Sequence, residues 1–319
     1  MELSAIQPLA RKISENIAKV IVGCSDSIDL MLAAVIAGGH VLLEDVPGTG
    51  KTMLAKSLSR SISAEMRRIQ FTPDLLPSDV TGMNIFDQKN GEFVFREGPV
   101  FTNILLSDEI NRATPRTQSA LLECMEERQV TTDGVTRALP PLFFVVATQN
   151  PVEIQGTFPL PEAQLDRFLL QLKLGYPEKE GALAIIERFI ADSPLEHLEP
   201  VATADDLLDA RAAFTAVHVS NAVREYIVAL VEATRASADV TLGVSPRGML
   251  ALLRVSQALA AISGRDYVLP DDIKRLAEPV FGHRVILRGG YGSKAAKVSE
   301  LIGQILRTTP APTEEPDEK

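Results

Sequence analysis

The sequence predicts an α/β protein, with a parallel sheet covered by helices on both faces and a smaller all-helical unit after it. Three observations carry this. Short, continuously apolar runs, Val41-Leu42-Leu43, Ile104-Leu105-Leu106 and residues 142–147, alternate with longer stretches of helical spacing. Strands that are apolar at every residue are buried on both faces, as in parallel sheets. A glycine-rich turn links the first run to a helical stretch. After Tyr176-Pro177 the strand signals fade, and residues 179–305 keep helical periodicity, punctuated by Pro200, Pro246, Pro270 and Pro279.

In chain order, residues 4–22 read as an amphipathic helix, because Ile6, Leu9, Ile13, Ile17, Val20 and Ile21 recur at helical spacing. A second helix over 27–37 is closed by Gly38-Gly39. The strand at 41–43 leads through the glycine turn into a helix over 51–61, and Arg68-Ile69-Gln70-Phe71 reads as a second strand. Pro73 and Pro77 make 72–79 a loop. A β-hairpin is expected around Lys89-Asn90-Gly91 and another around Asp133-Gly134. Between them lie the strand at 104–106 and a helix over 115–128. A fourth strand follows at 142–147 and a fifth at Phe168-Leu169-Leu170. The expected division is a core at 1–178, a helical unit at 179–307 and a disordered tail at 308–319, the last from its three prolines and four acids.

Charge and composition narrow the function classes. Lys and Arg number 32 against 42 Asp and Glu, a net charge of −10. That balance speaks against a nucleic-acid coat or an anionic membrane as the main partner. The two cysteines, Cys24 and Cys124, do not suggest a disulfide scaffold and suit a reducing, cytoplasmic compartment. No basic-then-apolar leader is read at the N-terminus, and no apolar run reaches the ~18 residues of a membrane span. His40, His197, His218 and His283 do not cluster at metal-ligand spacing and are expected to be structural.

The motifs point to phosphate chemistry. Asp45-Val46-Pro47-Gly48-Thr49-Gly50-Lys51-Thr52 lies between a strand and a helix. Glycines let backbone N–H groups approach phosphate oxygens, and the helix N-terminus adds a favourable dipole. Lys51 is expected to reach the β- and γ-phosphates and Thr52 to place its hydroxyl on Mg²⁺; the nucleotide contacts expected are Pro47, Gly48, Thr49, Gly50, Lys51, Thr52 and Met53. Asp45 stands where the pattern commonly has glycine. Asp108 and Glu109 end an apolar strand, and strand alternation predicts that they point apart, Asp108 to the metal and Glu109 to the attacking water. Asn150, ending another apolar strand, is placed to bond the γ-phosphate or the water. Arg167 is a candidate arginine finger supplied by a neighbouring subunit. Arg112 is a weaker candidate for a nucleotide or intersubunit contact. Ser245 reads as an N-cap and Pro246 as the first helical residue, which puts Arg247 in a first turn. A cation there is unfavourable unless it meets an anion, so Arg247 is expected to reach a phosphate across the domain cleft.

Taken together these stretches resemble the AAA+ superfamily of P-loop ATPases, and within it the MoxR family. The resemblance rests on residues 45–52, on Leu106-Ser107-Asp108-Glu109-Ile110-Asn111-Arg112-Ala113, and on Leu121-Leu122-Glu123-Cys124-Met125-Glu126-Glu127-Arg128. It rests equally on Ala147-Thr148-Gln149-Asn150-Pro151, on 161–168 and on Ser245-Pro246-Arg247, and spans about residues 5–307. It implies that Lys51 and Thr52 belong to Walker A, Asp108 and Glu109 to Walker B, Asn150 to sensor 1, Arg167 to the finger and Arg247 to sensor 2. It also implies an insert at each hairpin and an adenine-side segment at Val20-Ile21-Val22-Gly23, with Cys24 where a Gln is common. ATP and Mg²⁺, a homo-hexameric ring and chaperone-like work on a von Willebrand factor A domain protein follow from the same resemblance. The competing reading is a nucleic-acid motor, for which the hairpins offer little: Lys89 and Arg96 against Glu92, and Arg137 against Asp133.

Overall fold

A computed structural model describes residues 1–44, 48–150, 156–191, 193–288 and 294–312. Among them, α1 (Ile6–Ala18) and α2 (Ser25–Ile36) precede β1 (Val41–Glu44), α3 (Lys51–Ser61), β2 (Met66–Gln70) and α4 (Pro77–Thr81). The hairpin β3 (Gly82–Asp87) and β4 (Glu92–Glu97) leads to β5 (Ile104–Asp108) and α5 (Pro115–Glu127). The hairpin β6 (Gln129–Thr132) and β7 (Val135–Ala138) precedes β8 (Phe144–Gln149), α6 (Glu162–Leu165) and β9 (Leu170–Leu172). Then come α7 (Lys179–Ala191), α8 (Ala204–Ala213), α9 (Asn221–Ala236), β10 (Val240–Leu242), α10 (Pro246–Ile262), α11 (Pro270–Phe281), β11 (Ile286–Leu287) and α12 (Lys294–Thr308).

Five strands form one parallel sheet in the order β2-β5-β8-β1-β9. Alternation along each strand splits its side chains between two cores. Val41, Leu43, Ile104, Leu106, Phe144, Val146 and Leu170 face α1–α3, whereas Leu42, Leu105, Phe143, Val145 and Ala147 face α5 with Leu121, Leu122 and Met125. Phe71, Phe143, Phe144 and Phe168 are fully buried. Each such side chain contributes about 1.5–3 kcal/mol, whereas the exposed Arg11–Glu15 pair at 2.7 Å is screened by solvent and contributes little. Apolar packing therefore decides the stability of the sheet. The first core continues through α1 and α2 into α8–α12.

Some boundaries differ from expectation. The fifth strand begins two residues later, because Phe168 fills the second core from the turn before it, and β9 starts pairing with β1 only at Leu170. The expected loop at 72–79 contains the start of α4, with Pro77 at its first position. The helical unit carries a two-stranded ribbon, β10–β11, that its periodicity did not announce. Ser245 does cap α10, accepting a bond from Gly248 N at 3.1 Å. From residue 313 on, the expected tail lies outside the described residues.

His40 sits under the sheet and is buried. Its Nδ1 accepts from Val145 N at 3.0 Å, so the ring proton is on Nε2, 3.1 Å from Met125 O. Burial, with the nearby Arg128 charge, pushes its pKa down to about 3. The folded protein thus excludes the proton that the unfolded chain binds below about pH 6.5. The stability this contributes is complete above pH 6.5 and is lost as pH falls toward 3; by pH 5 the loss is about 2 kcal/mol. Denaturant unfolding at pH 7.5 and pH 5 should show that extra loss in the wild type and not in His40→Gln; equal losses in both would refute the assignment.

Candidate active site

The glycine turn leaves the C-terminal end of β1, between β8 and β9, and enters α3. Gly48 and Gly50 have φ of 87° and 89°, and Gly50 is the residue on which α3 begins. Such a backbone suits glycine, because a side chain would be strained there. A Cβ built at either position meets no atom of the described residues within 4 Å, so the turn is open on that side, just ahead of the first N–H groups of α3. That is the shape phosphate oxygens require. Lys51 and Thr52 are the first residues of α3, and Met53 packs against the Val20, Leu195 and Leu198 cluster. Pro47 lies outside the described residues.

The two acids stand at the end of β5, two strands away. Asp108 is its last residue, and Glu109 leaves the strand in the left-handed region, at φ 55° and ψ 50°. They are separated by that turn rather than by alternation. A non-glycine residue held there costs about 1–3 kcal/mol and persists where its surroundings fix it. Thr148 of β8 fixes it: its hydroxyl donates to Asp108 Oδ1 at 2.6 Å and accepts from Glu109 N at 2.8 Å. The Glu109 carboxylate accepts from Gln70 Nε2 at 2.8 Å and pairs with Arg112 Nε at 2.7 Å. Arg112 therefore contacts Glu109 of its own chain. Asn150 follows the end of β8, buried between the glycine turn and the acids.

Asp108 Oδ2 accepts from Arg68 Nη2 at 2.7 Å. One oxygen is thus aimed by a hydroxyl while the other holds a cation. A carboxylate so oriented, with the Thr52 hydroxyl at the head of α3, is a hard-oxygen donor set of the kind Mg²⁺ takes.

Arg167 and Arg247 are placed elsewhere. Strand order puts the glycine turn, Asp108, Glu109 and Asn150 at the C-terminal edge of the sheet. Helix α5 starts beside that edge and runs back, roughly 16 Å from its first residue to Glu126 at 1.5 Å per residue. Its end is at the opposite edge, where Arg128 donates to Gly38 O, ahead of β1, and to Phe143 O, ahead of β8. Glu126 pairs there with Arg167 Nε at 2.9 Å and accepts from Arg247 Nη2 at 2.7 Å. The first-turn position of Arg247 predicts an anion across the domain cleft, and the anion it meets in this chain is Glu126. Among the described residues, a cavity of about 900 Å³ opens between the β9 edge and helices α11 and α12. Its lining includes Glu44 and Gln149, the last residues of β1 and β8, so it reaches the edge of the sheet from which the glycine turn departs.

Several participants escaped sequence reasoning. Thr148 and Gln70 give a faint signal as polar residues at the ends of apolar strands, where a buried hydroxyl or amide needs a partner. Arg284 gives none. Its side chain is buried, pairs with Asp166 Oδ1 at 2.6 Å and donates to Phe168 O and Leu169 O. Asp166 Oδ2 accepts from Ser245 Oγ at 3.0 Å, so one carboxylate ties the helical unit to the segment bearing Arg167. Gly248 is required beside it, because a Cβ there would lie 2.7 Å from Arg284 Cδ.

Residues 40–170 match the family model of ATPases associated with various cellular activities, and residues 232–302 match an AAA lid domain. The chain is 48% identical to the Bacillus subtilis protein YeaC over 97% of each chain. It is 39% identical to the chaperone MoxR1 of Mycobacterium tuberculosis, over 96% of this chain and 83% of that one. MoxR of Paracoccus denitrificans is 34% identical over 92% of this chain and 93% of the other. A crystal structure of a candidate ATPase from Cytophaga hutchinsonii superposes with a TM-score of 0.88 at 38% identity, covering 98% of this chain and 97% of its own. With the glycine turn, the paired acids and the lid already in place, these likenesses fix the assignment: the chain belongs to the MoxR family of AAA ATPases.

Proposed function

We propose that this ATPase hydrolyses ATP with Mg²⁺ in a cytoplasmic, head-to-tail ring of six copies, and that it uses the cycle for chaperone-like remodelling of a partner. The partner is a von Willebrand factor A domain protein, and the remodelling or maturation serves its uptake of a metal ion; these parts rest on the family resemblance, and the chaperone role is that for which MoxR1 is named. Residues 1–178 form the nucleotide-binding core and 179–307 the lid.

The observation that carries the ring is the separation of the two charged clusters. Arg167 and Arg247 sit at the sheet edge opposite the glycine turn, so they can serve a phosphate only if it belongs to another copy. Repetition of such a heterologous contact gives a ring where its rotation closes. At each site Gly48, Thr49, Gly50, Lys51 and Thr52 hold the phosphates, with Pro47 before them and Met53 toward the base. Thr52 and Asp108 hold Mg²⁺, which when bound offsets charge on the phosphate oxygens. Glu109 accepts hydrogen bonds from the attacking water and takes up its proton, with Gln70 and Arg112 setting the carboxylate. Asn150 bonds the γ-phosphate or that water, and the neighbour's arginines stabilise the transferring phosphoryl group.

The hairpins favour a polypeptide partner over nucleic acid. Ile85, Phe86, Phe93 and Val94 are exposed on β3 and β4, Phe93 at 71%, where phosphate tracking would need cations. The test is calorimetric titration with ATP and Mg²⁺ together with phosphate release across protein concentration. Saturable binding, with turnover per subunit rising as copies assemble, is expected. Failure to bind ATP would overturn the reading, and turnover independent of assembly would remove the ring from it.

A further inference from the structure

We infer that Glu126 is a positioning residue that locks Arg167 and Arg247 into one two-armed clamp, presented to the phosphate of a neighbouring copy; this rests on the trans reading above. One carboxylate takes both guanidiniums, Oε2 that of Arg167 from the sheet segment and Oε1 that of Arg247 from the lid. The two arginines are 80 positions apart in sequence, and Glu126 is the side chain common to both.

Electrostatics indicate that this carboxylate is not there to stabilise its own helix. Glu126 lies in the last turn of α5, which holds no basic residue, beside Glu123 and Glu127. The carbonyls at a helix C-terminus disfavour an acid, which carries a cost there. The arginine pair offsets that cost. Just beneath lies Arg284, paired with Asp166; burial lowers its pKa, and the nearby Arg247 charge adds a smaller push in the same direction. Arg167, Arg247 and Arg284 are thus three guanidiniums bonded to two carboxylates, Glu126 and Asp166, one more cation than the anions they pair with. Arg167 and Arg247 keep side-chain exposures of 29% and 47%, so the excess charge is open to an anion from outside.

The backbone beneath is already fixed. Arg284 bonds the carbonyls of Phe168 and Leu169, and Asp166 grips both Arg284 and the cap of α10. What remains loose without Glu126 is the tips, two long side chains of like charge that would splay apart. A clamp set at a fixed spacing before the phosphate arrives needs no reorganisation at the moment of transfer. Its benefit therefore falls on turnover more than on substrate affinity.

The experiment measures kcat and KM for ATP in assembled wild type, Glu126→Gln, Arg167→Ala, Arg247→Ala and the double variant Glu126→Gln/Arg247→Ala. The near-isosteric Gln keeps the helix and removes the charge; thermal melting checks the fold. Glu126→Gln should lower kcat by about 10- to 100-fold with KM little changed, and cost several-fold less once Arg247 is absent, because its action runs through that arginine. An equal cost in both backgrounds, or a rise in kcat, would overturn the clamp, the latter marking Glu126 as an inhibitory latch. Full activity of Glu126→Gln beside an impaired Arg167→Ala would overturn the clamp alone. An unimpaired Arg167→Ala would overturn the trans-arginine reading itself.

Discussion

Glu109→Gln is expected to bind ATP with near wild-type affinity while turnover falls by about 10²–10⁴-fold, the usual contribution of a positioned base. The substitution keeps the side-chain volume and one acceptor oxygen, so the bond from Gln70 survives. It removes the negative charge that pairs with Arg112 and the capacity to take a proton from water. The backbone is untouched, because the left-handed turn is held through Glu109 N by Thr148 rather than through the carboxylate. Loss of activity therefore cannot be ascribed to a collapsed turn. Asp108→Asn makes the contrast: it weakens the oxygen that now holds Arg68 and would hold Mg²⁺, so it should impair Mg²⁺-dependent binding as well as turnover. Calorimetry and phosphate release on the same preparations separate the two patterns. Unchanged turnover in Glu109→Gln would strip Glu109 of its role.

The sequence made legible what a local pattern can encode. Apolar runs such as Ile104-Leu105-Leu106 announce buried strands because each residue faces one of the two cores. Gly48 and Gly50 announce the turn because only their backbone freedom suits it. Polar groups whose partners lie far along the chain stayed hidden. Thr148 meets Asp108 from 40 positions away, Arg284 meets Asp166 from 118, and Arg247 meets Glu126 from 121. No window of sequence contains both halves of such a pair. The placement of Arg247 shows the consequence: helix-dipole reasoning rightly demanded an anion, but the choice between this chain's nucleotide and another anion depended on how the lid docks. The β10–β11 ribbon, only three and two residues long, is likewise specified by the packing around it rather than by its own pattern.

Arg167→Ala is expected to cut turnover by about 10³-fold or more, as loss of a trans-acting arginine does. Its own nucleotide binding should be intact, because Arg167 is a full strand length from the glycine turn, at the edge where Arg128 bonds the carbonyls ahead of β1 and β8. Lys51→Ala should fail in the complementary way, losing the phosphate contact while keeping a sound arginine cluster. Neither variant has an active site when assembled with itself. In a mixed assembly, an Arg167→Ala copy offers an intact glycine turn, and a Lys51→Ala copy beside it offers an intact arginine. For random mixing at equal amounts in a head-to-tail ring, half the copies carry the sound turn and half of their neighbours the sound arginine. Recovery of about a quarter of wild-type turnover is the expected value. Arg247→Ala should complement Lys51→Ala in the same way, because Glu126 holds it in the same cluster. A cis-acting arginine predicts no recovery at any ratio, since no copy would then hold both groups. The ratio dependence adds a further constraint: recovery should peak near equal amounts and vanish at either extreme, a profile that simple stabilisation of one variant by the other would not produce.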